Sequence, residues 1–231
     1  MKRFYRHAAP IAAAAGVGVA LDGRLVKTPA KRDLVVPGLA LASAIAAEWN
    51  AQEAELRPSA MPLTRLANIT IDRDRNQRDA IVKATAGYAG TDLVCYRTAD
   101  QPALAVRQQA VWQPLVDWVA HRYDAPLAVT AGVIPTRQPE ASIAALAAAV
   151  AAQDDFALTA LVVATAACGS LVIALALFEG RLDAADACAA SQIDESFQIE
   201  AWGEDAEQTE RRRALAAEIA AAARFWSLSH A

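Results

Sequence analysis

A chain of 231 residues has room for one large domain or two small ones, each with a real core. Hydrophobic residues make up 55% of it, much of that alanine, a helix former with little surface to bury; alanine-rich helices are expected rather than lipid-facing ones. The formal net charge is -4, and no basic stripe with interleaved aromatics appears, which argues against a nucleic-acid partner.

Near the start, Lys2, Arg3, Arg6 and His7 precede AAPIAAAAGVGVAL, an order that mimics a secretory signal. The apolar part is mostly Ala and Gly, contains a Pro, and runs into the turn dipeptide Asp22-Gly23, so strand is the better reading. Val17, Val19 and Leu21 alternate, Leu25-Val26-Lys27-Thr28 returns as the second arm, and Leu34-Val35-Val36 makes a further short strand. The string GVGV lacks the GxGxxG spacing and a helix directly after it, so it signals strand, not a dinucleotide fingerprint. Leu41, Ile45 and Trp49 fall at i, i+4 and i+8 and predict a helix over 39–53. Met61-Pro62-Leu63 breaks that pattern, and Leu66, Ile69 and Ile71 read as a short, partly extended stretch. Helical character resumes over 72–89, bounded by Gly87 and Gly90, and Thr91 to Arg97 reads as an apolar connection.

Beyond Gln101 the chain reads as helical to its end. Val111, Leu115, Trp118 and Arg122 share a face, with Pro114 marking a kink or a new start. Residues 132–139 read as a linker, and 140–152 as an alanine helix striped by Ile143, Leu146 and Val150. Phe156 to Phe178 then runs 23 residues without a charge, long enough to cross a bilayer. Its flanks are Asp155 and Glu179, without basic residues or interfacial Trp or Tyr, and Gly169-Ser170 sits near the middle. Two buried helices are therefore expected, with no stable membrane insertion. Leu182 to Glu207 is the opposite, with eight carboxylates and no Lys or Arg. Asp183 is its expected N-cap, and the last helix turns Leu215, Ile219, Ala222 and Trp226 to a core. The fold class expected is α+β, with a β-containing N-terminal domain with helices over 1–98 and an all-helical C-terminal domain over 99–231.

Chemistry is scarce in this chain. The histidines are His7, His121 and His230, and there is no HExxH, GxSxG, P-loop or paired metal-ligand spacing. No catalytic residue, metal or cofactor is assigned. Cys95, Cys168 and Cys188 are odd in number and far apart, which fits small buried side chains in a reducing compartment. The informative stretch is Gln192 to Glu204. On a helix, Ile193, Phe197 and Ala201 share one side with Glu200 and Glu204, while Ile199 and Trp202 share another with Glu195. Glu200 and Glu204, four apart, repel each other unless a cation comes from elsewhere. The internal donors would be Arg97 or Arg211 to Arg213, and the external one another protein.

Five strings in order, LDGRLVKTP, VP followed by a helix with AxEW, MPLTRL, TDLVCYR and FQIEAWGED, resemble the ATP synthase assembly chaperones that bind the free alpha subunit of the catalytic sector. The resemblance runs from Tyr5 to about Phe225. It implies a non-enzymatic chaperone that shields the surface of the alpha subunit that later meets the beta subunit. Trp49 matches the AxEW tryptophan, and Asp92, Tyr96 and Arg97 match TDxxCYR. Glu195, Phe197, Gln198, Trp202, Gly203 and Glu204 match the C-terminal signature, with Glu195 and Glu204 the candidates for the family's functional acid. Many relatives continue as WGEVE with a later His-Asp, whereas here Asp205-Ala206-Glu207 follows. The implied partner-binding set is Glu195, Phe197, Glu200, Trp202 and Glu204, with Trp49. The short N-terminus resembles a bacterial, cytoplasmic protein rather than a mitochondrial one. The residues themselves leave open a second reading, a small-molecule-binding protein or enzyme with its site between the two domains.

Overall fold

Asp22 and Gly23 turn the chain with positive φ at both positions, 47° and 83°, as a two-residue hairpin loop requires. They join β2 (Gly16–Leu21) to β3 (Arg24–Leu25), and β1 (Ala8–Ala13) pairs along the whole other edge of β2. Pro10 is tolerated because β1 is an edge strand, where a missing N–H costs no ladder bond. β4 (Val35–Val36) also pairs with β2, antiparallel like the rest. The glycines of GVGV serve close approach. A Cβ on Gly16 would sit 2.3 Å from the Val36 carbonyl oxygen, and its φ of 144° disfavours any other residue.

The computed structural model describes residues 2–132 and 134–231. They form two units, Met1–Gln77 with Asp154–Ala160 and Arg224–Ala231, and Arg78–Gln153 with Leu161–Ala223. In the first unit the sheet packs on α1 (Leu39–Asn50), and Val19, Leu34, Val36, Leu41 and Ile45 are fully buried there. Asn50 ties the helix end to β1, bonding both the N–H and the carbonyl of Ala8 at 2.8 Å. Residues 62–72, expected to be partly extended, form α2 (Pro62–Asp72) instead. Pro62 occupies the first turn, where its missing N–H is no loss. The Glu48 carboxylate accepts from Leu63 N–H (2.7 Å), Thr64 N–H (2.8 Å) and the Thr64 hydroxyl (2.7 Å), capping α2 from another helix.

The second unit begins with α3 (Arg78–Gly87), which packs along α5 (Glu140–Ala151). That packing places residues 78–98 in this unit, although their composition reads with the N-terminal part. The long α4 (Pro102–Tyr123) buries Leu104, Gln108, Trp112, Leu115, Val116 and Val119; Val111, expected to share a face with Leu115, is exposed. β5 (Tyr96–Arg97) and β6 (Thr130–Ala131) make a short parallel pair. The 132–139 linker is free of helix where described, and Val133 lies outside the described residues.

The uncharged run is two helices, α6 (Asp155–Cys168) and α7 (Leu171–Phe178), separated at Gly169 with φ 64°. Among the described residues no helix is long and apolar enough to cross a membrane. Ser170 caps α7 by accepting from Ile173 N–H, and its hydroxyl donates to Asp92 at 2.5 Å. Asp92 is fully buried and also accepts from Val172 N–H (3.1 Å) and Val94 N–H (3.3 Å). Burial pushes its carboxyl up to about 6, against the pull of those bonds. The acidic run also divides, into α8 (Ala184–Ser191), capped by Asp183 at 2.8 Å from Asp186 N–H, and α9 (Ile193–Trp202). The last helix is α10 (Ala206–Ser229), with Ile219, Ala222 and Phe225 buried. Cys95, Cys168 and Cys188 are free thiols; Cys95 and Cys168 are pushed up to about 12 by burial.

Candidate functional site

α9 owes its position to α4. The Trp112 indole N–H donates to the Ala190 carbonyl at 2.8 Å, fixing the end of α8 just before α9 begins. Gln108, almost fully buried, donates to Asp194 at 2.7 Å while its carbonyl accepts from Thr98 N–H at 2.8 Å. Asp194 stands in the first turn of α9, where a carboxylate also complements the helix dipole. Only Ile193 of this helix is buried, so α9 is held mainly at its start, with Glu195, Gln198, Glu200, Ala201 and Trp202 exposed.

The repulsion expected between Glu200 and Glu204 is answered by two separate arginines. Arg107 of α4 grips Glu200 with both terminal nitrogens at 2.7 Å, and its guanidinium lies 5.3 Å from the centroid of the Phe197 ring. The Arg107 bonds hold the Glu200 carboxyl below the usual carboxylate range. Arg212 of α10 reaches Glu204 at 3.2 Å and the Ser196 hydroxyl at 3.1 Å. Arg212 lies within the 211–213 group anticipated from the sequence; Arg107 does not. Arg97 pairs with neither acid. It is buried over the Trp112 ring at 5.2 Å, with one terminal nitrogen on the Val94 carbonyl.

Beyond these pairs the surface is open. Trp202 is 75% exposed, and Glu195 carries no ion pair among the described residues. Gly203, with φ 84°, ends α9, and its N–H returns to the Ile199 carbonyl at 2.8 Å. Glu195, Phe197, Glu200, Trp202 and Glu204 thus lie on one short helix and the loop after it, within the second unit. Trp49 belongs to the first unit, where its ring meets Tyr5 edge-on at 5.5 Å and its carbonyl accepts from the Tyr5 hydroxyl at 2.6 Å. Arg107 is the residue that sequence reasoning missed. Its signal is faint, a lone cation one position before the buried Gln108. Among the described residues no group of His, Cys, Asp and Glu is set to hold a metal ion.

The comparisons with known proteins bear on this arrangement. The profile of the ATP12 chaperone protein family matches residues 2–120. The crystal structure of Atp12 from Paracoccus denitrificans superposes with a TM-score of 0.94 at 42% identity, covering 99% of this chain and 98% of that one. A putative chaperone from Agrobacterium tumefaciens, Atu1473, gives 0.92 at 36% identity, covering 98% of this chain and 85% of that one. The mitochondrial protein atp12 of Schizosaccharomyces pombe is 23% identical over 221 residues, 90% of this chain and 76% of that protein. The family profile ends before α9, while the likeness to the solved structures extends over it. The chain belongs to the ATP12 chaperone family.

Proposed function

We propose that this chain is an assembly chaperone of ATP synthase that binds the free alpha subunit of the catalytic sector and shields its beta-contacting surface until assembly. The observation that carries the reading is the exposed Trp202 at the end of an acidic helix that also holds Glu195, which carries no ion pair among the described residues, with Glu200 and Glu204 each held by one arginine. Exposed aromatics in a charged rim are what a protein-binding surface offers. Membership of a chaperone family supports binding rather than catalysis as the activity. The compartment proposed is the bacterial cytoplasm.

The test is capture of isolated alpha subunit by the purified chain. Trp202→Ala is expected to weaken capture roughly tenfold or more, as loss of an aromatic anchor does. Glu195→Lys and Glu204→Lys should each weaken it further as salt is lowered, since a like charge repels more where screening is weak. Capture of the beta subunit but not alpha, or capture untouched by all three changes, overturns the reading.

A further inference from the structure

The first unit contains a cavity of about 1200 Å³ that the acidic helix does not explain. Its walls come from the hairpin on one side and from α1, α2 and the turn between them on the other. Leu25, Val26, Trp49, Met61 and Ile69 make its lining largely apolar. At this size it exceeds the usual range for a small-molecule pocket, roughly 300–1,000 Å³.

One polar feature along it is the free edge of the hairpin. Val26 donates its N–H to Val19 at 2.8 Å, so the backbone of Leu25 alternates the other way and turns its N–H and carbonyl away from β2. β3 is an edge strand on that side. A free strand edge beside an apolar floor matches an extended polypeptide, which presents a donor and an acceptor along its backbone. An acyl chain or a simple apolar metabolite presents neither in series.

The charges narrow the choice. Both carboxylates in the lining are already engaged by the protein itself. Asp22 accepts from the N–H groups of Arg6 and His7, and Asp72 accepts from the Thr28 hydroxyl (2.5 Å) and Ala30 N–H (2.9 Å). Lys27 is paired with Asp33 at 2.6 Å, whereas Arg24 has no ion pair among the described residues. We infer that this cavity receives an extended apolar segment of the client polypeptide carrying a carboxylate where it passes Arg24. The inference rests on the chaperone reading for the identity of the client, and it adds a second contact of opposite charge preference to that of the acidic helix.

The experiment measures binding of twelve-residue peptides tiled across the alpha subunit, by fluorescence anisotropy, with dodecanoate as competitor. Ile69 is 44% exposed, so Ile69→Glu alters the groove without opening the core, and unchanged thermal unfolding serves as the control. Apolar peptides bearing an acidic residue are expected to bind. Ile69→Glu should weaken them roughly tenfold by setting a charge in the apolar floor. Arg24→Glu should weaken the acidic peptides and spare their amide counterparts. The inference is overturned if no peptide binds, if binding ignores Ile69→Glu and Arg24→Glu, or if dodecanoate displaces the peptides. Whole-subunit capture that depends on Trp202 but not on Ile69 would sink the groove and leave the chaperone reading standing. Loss of all capture with peptide binding intact would do the reverse.

Discussion

Arg107 and Glu200, 93 positions apart in the chain, meet through two parallel hydrogen bonds of 2.7 Å with Phe197 beneath the guanidinium. The pair is exposed, so its value lies less in stability than in holding Glu200 in one place. Under the proposed function, a cation on the client would have to compete with Arg107 for that carboxylate.

Arg107→Ala is expected to return the Glu200 carboxyl toward its ordinary range, because the Arg107 bonds are the largest cause of its lowered value. Titration of the Glu200 side-chain carbon by NMR reads this directly. Unfolding should shift little, as exposed pairs contribute little, while client capture should become tighter and more sensitive to salt. Weaker capture would mean that Arg107 itself touches the client.

Trp202→Ala separates binding from folding. At 75% exposure the ring buries little of itself in the fold, so thermal unfolding should be nearly unchanged. A central aromatic anchor costs about 2 kcal/mol or more when truncated, so capture of the client should fall sharply. A clear loss of stability instead would assign Trp202 to the packing of α9.

Much of the fold was legible because its signals are local. The Asp22-Gly23 turn, the Gly169-Ser170 break and the Asp183 cap are each set by adjacent residues. α2 was not legible, since Pro62 was read as a breaker and its cap, Glu48, comes from a different helix. That contact also shows what two of the family strings do, for AxEW supplies the carboxylate and MPLTRL the helix start it caps. TDLVCYR is similar, with Asp92 latching α7 and Arg97 buried against Trp112. Spacing alone exposed the acidic helix and the need for a cation. It had no means of naming Arg107, because pairing across 93 positions is decided by how α4 and α9 pack.

Asp92 makes a pH-dependent contribution whose sign is opposite to that of a salt-bridged carboxylate. Its folded value of about 6 lies above the ordinary 3.8, so between these the folded chain holds a proton that the unfolded chain has lost. Its contribution is most favourable below pH 4 and is lost as pH rises through about 6. Lowering pH from 7 to 5 should therefore add about 1 kcal/mol from this group, relative to Asp92→Asn. Urea unfolding of both proteins at the two pH values measures the difference. Asp92→Ala should cost more than Asp92→Asn at either pH, since it leaves Ser170 and the Val172 N–H without an acceptor.

Gly203 sets where α9 ends and how Glu204 is delivered to Arg212. Its backbone has φ 84° and ψ 169°, a region reserved for glycine, and nothing lies within 4 Å of where a Cβ would stand. The cost of Gly203→Ala is therefore conformational rather than steric, about 1–3 kcal/mol. Because α9 is fixed mainly at its start, through Asp194 and Gln108, the strain should be relieved by loosening its last turn rather than by unfolding the unit. Hydrogen exchange at the Gly203 N–H, which bonds to Ile199 in the native turn, should quicken while amides in α7 stay protected. The Arg212–Glu204 pair should weaken with it, and client capture should fall even though every side chain of the acidic surface is intact. Equal acceleration in α7 and α9 would show instead that the substitution destabilises the whole unit.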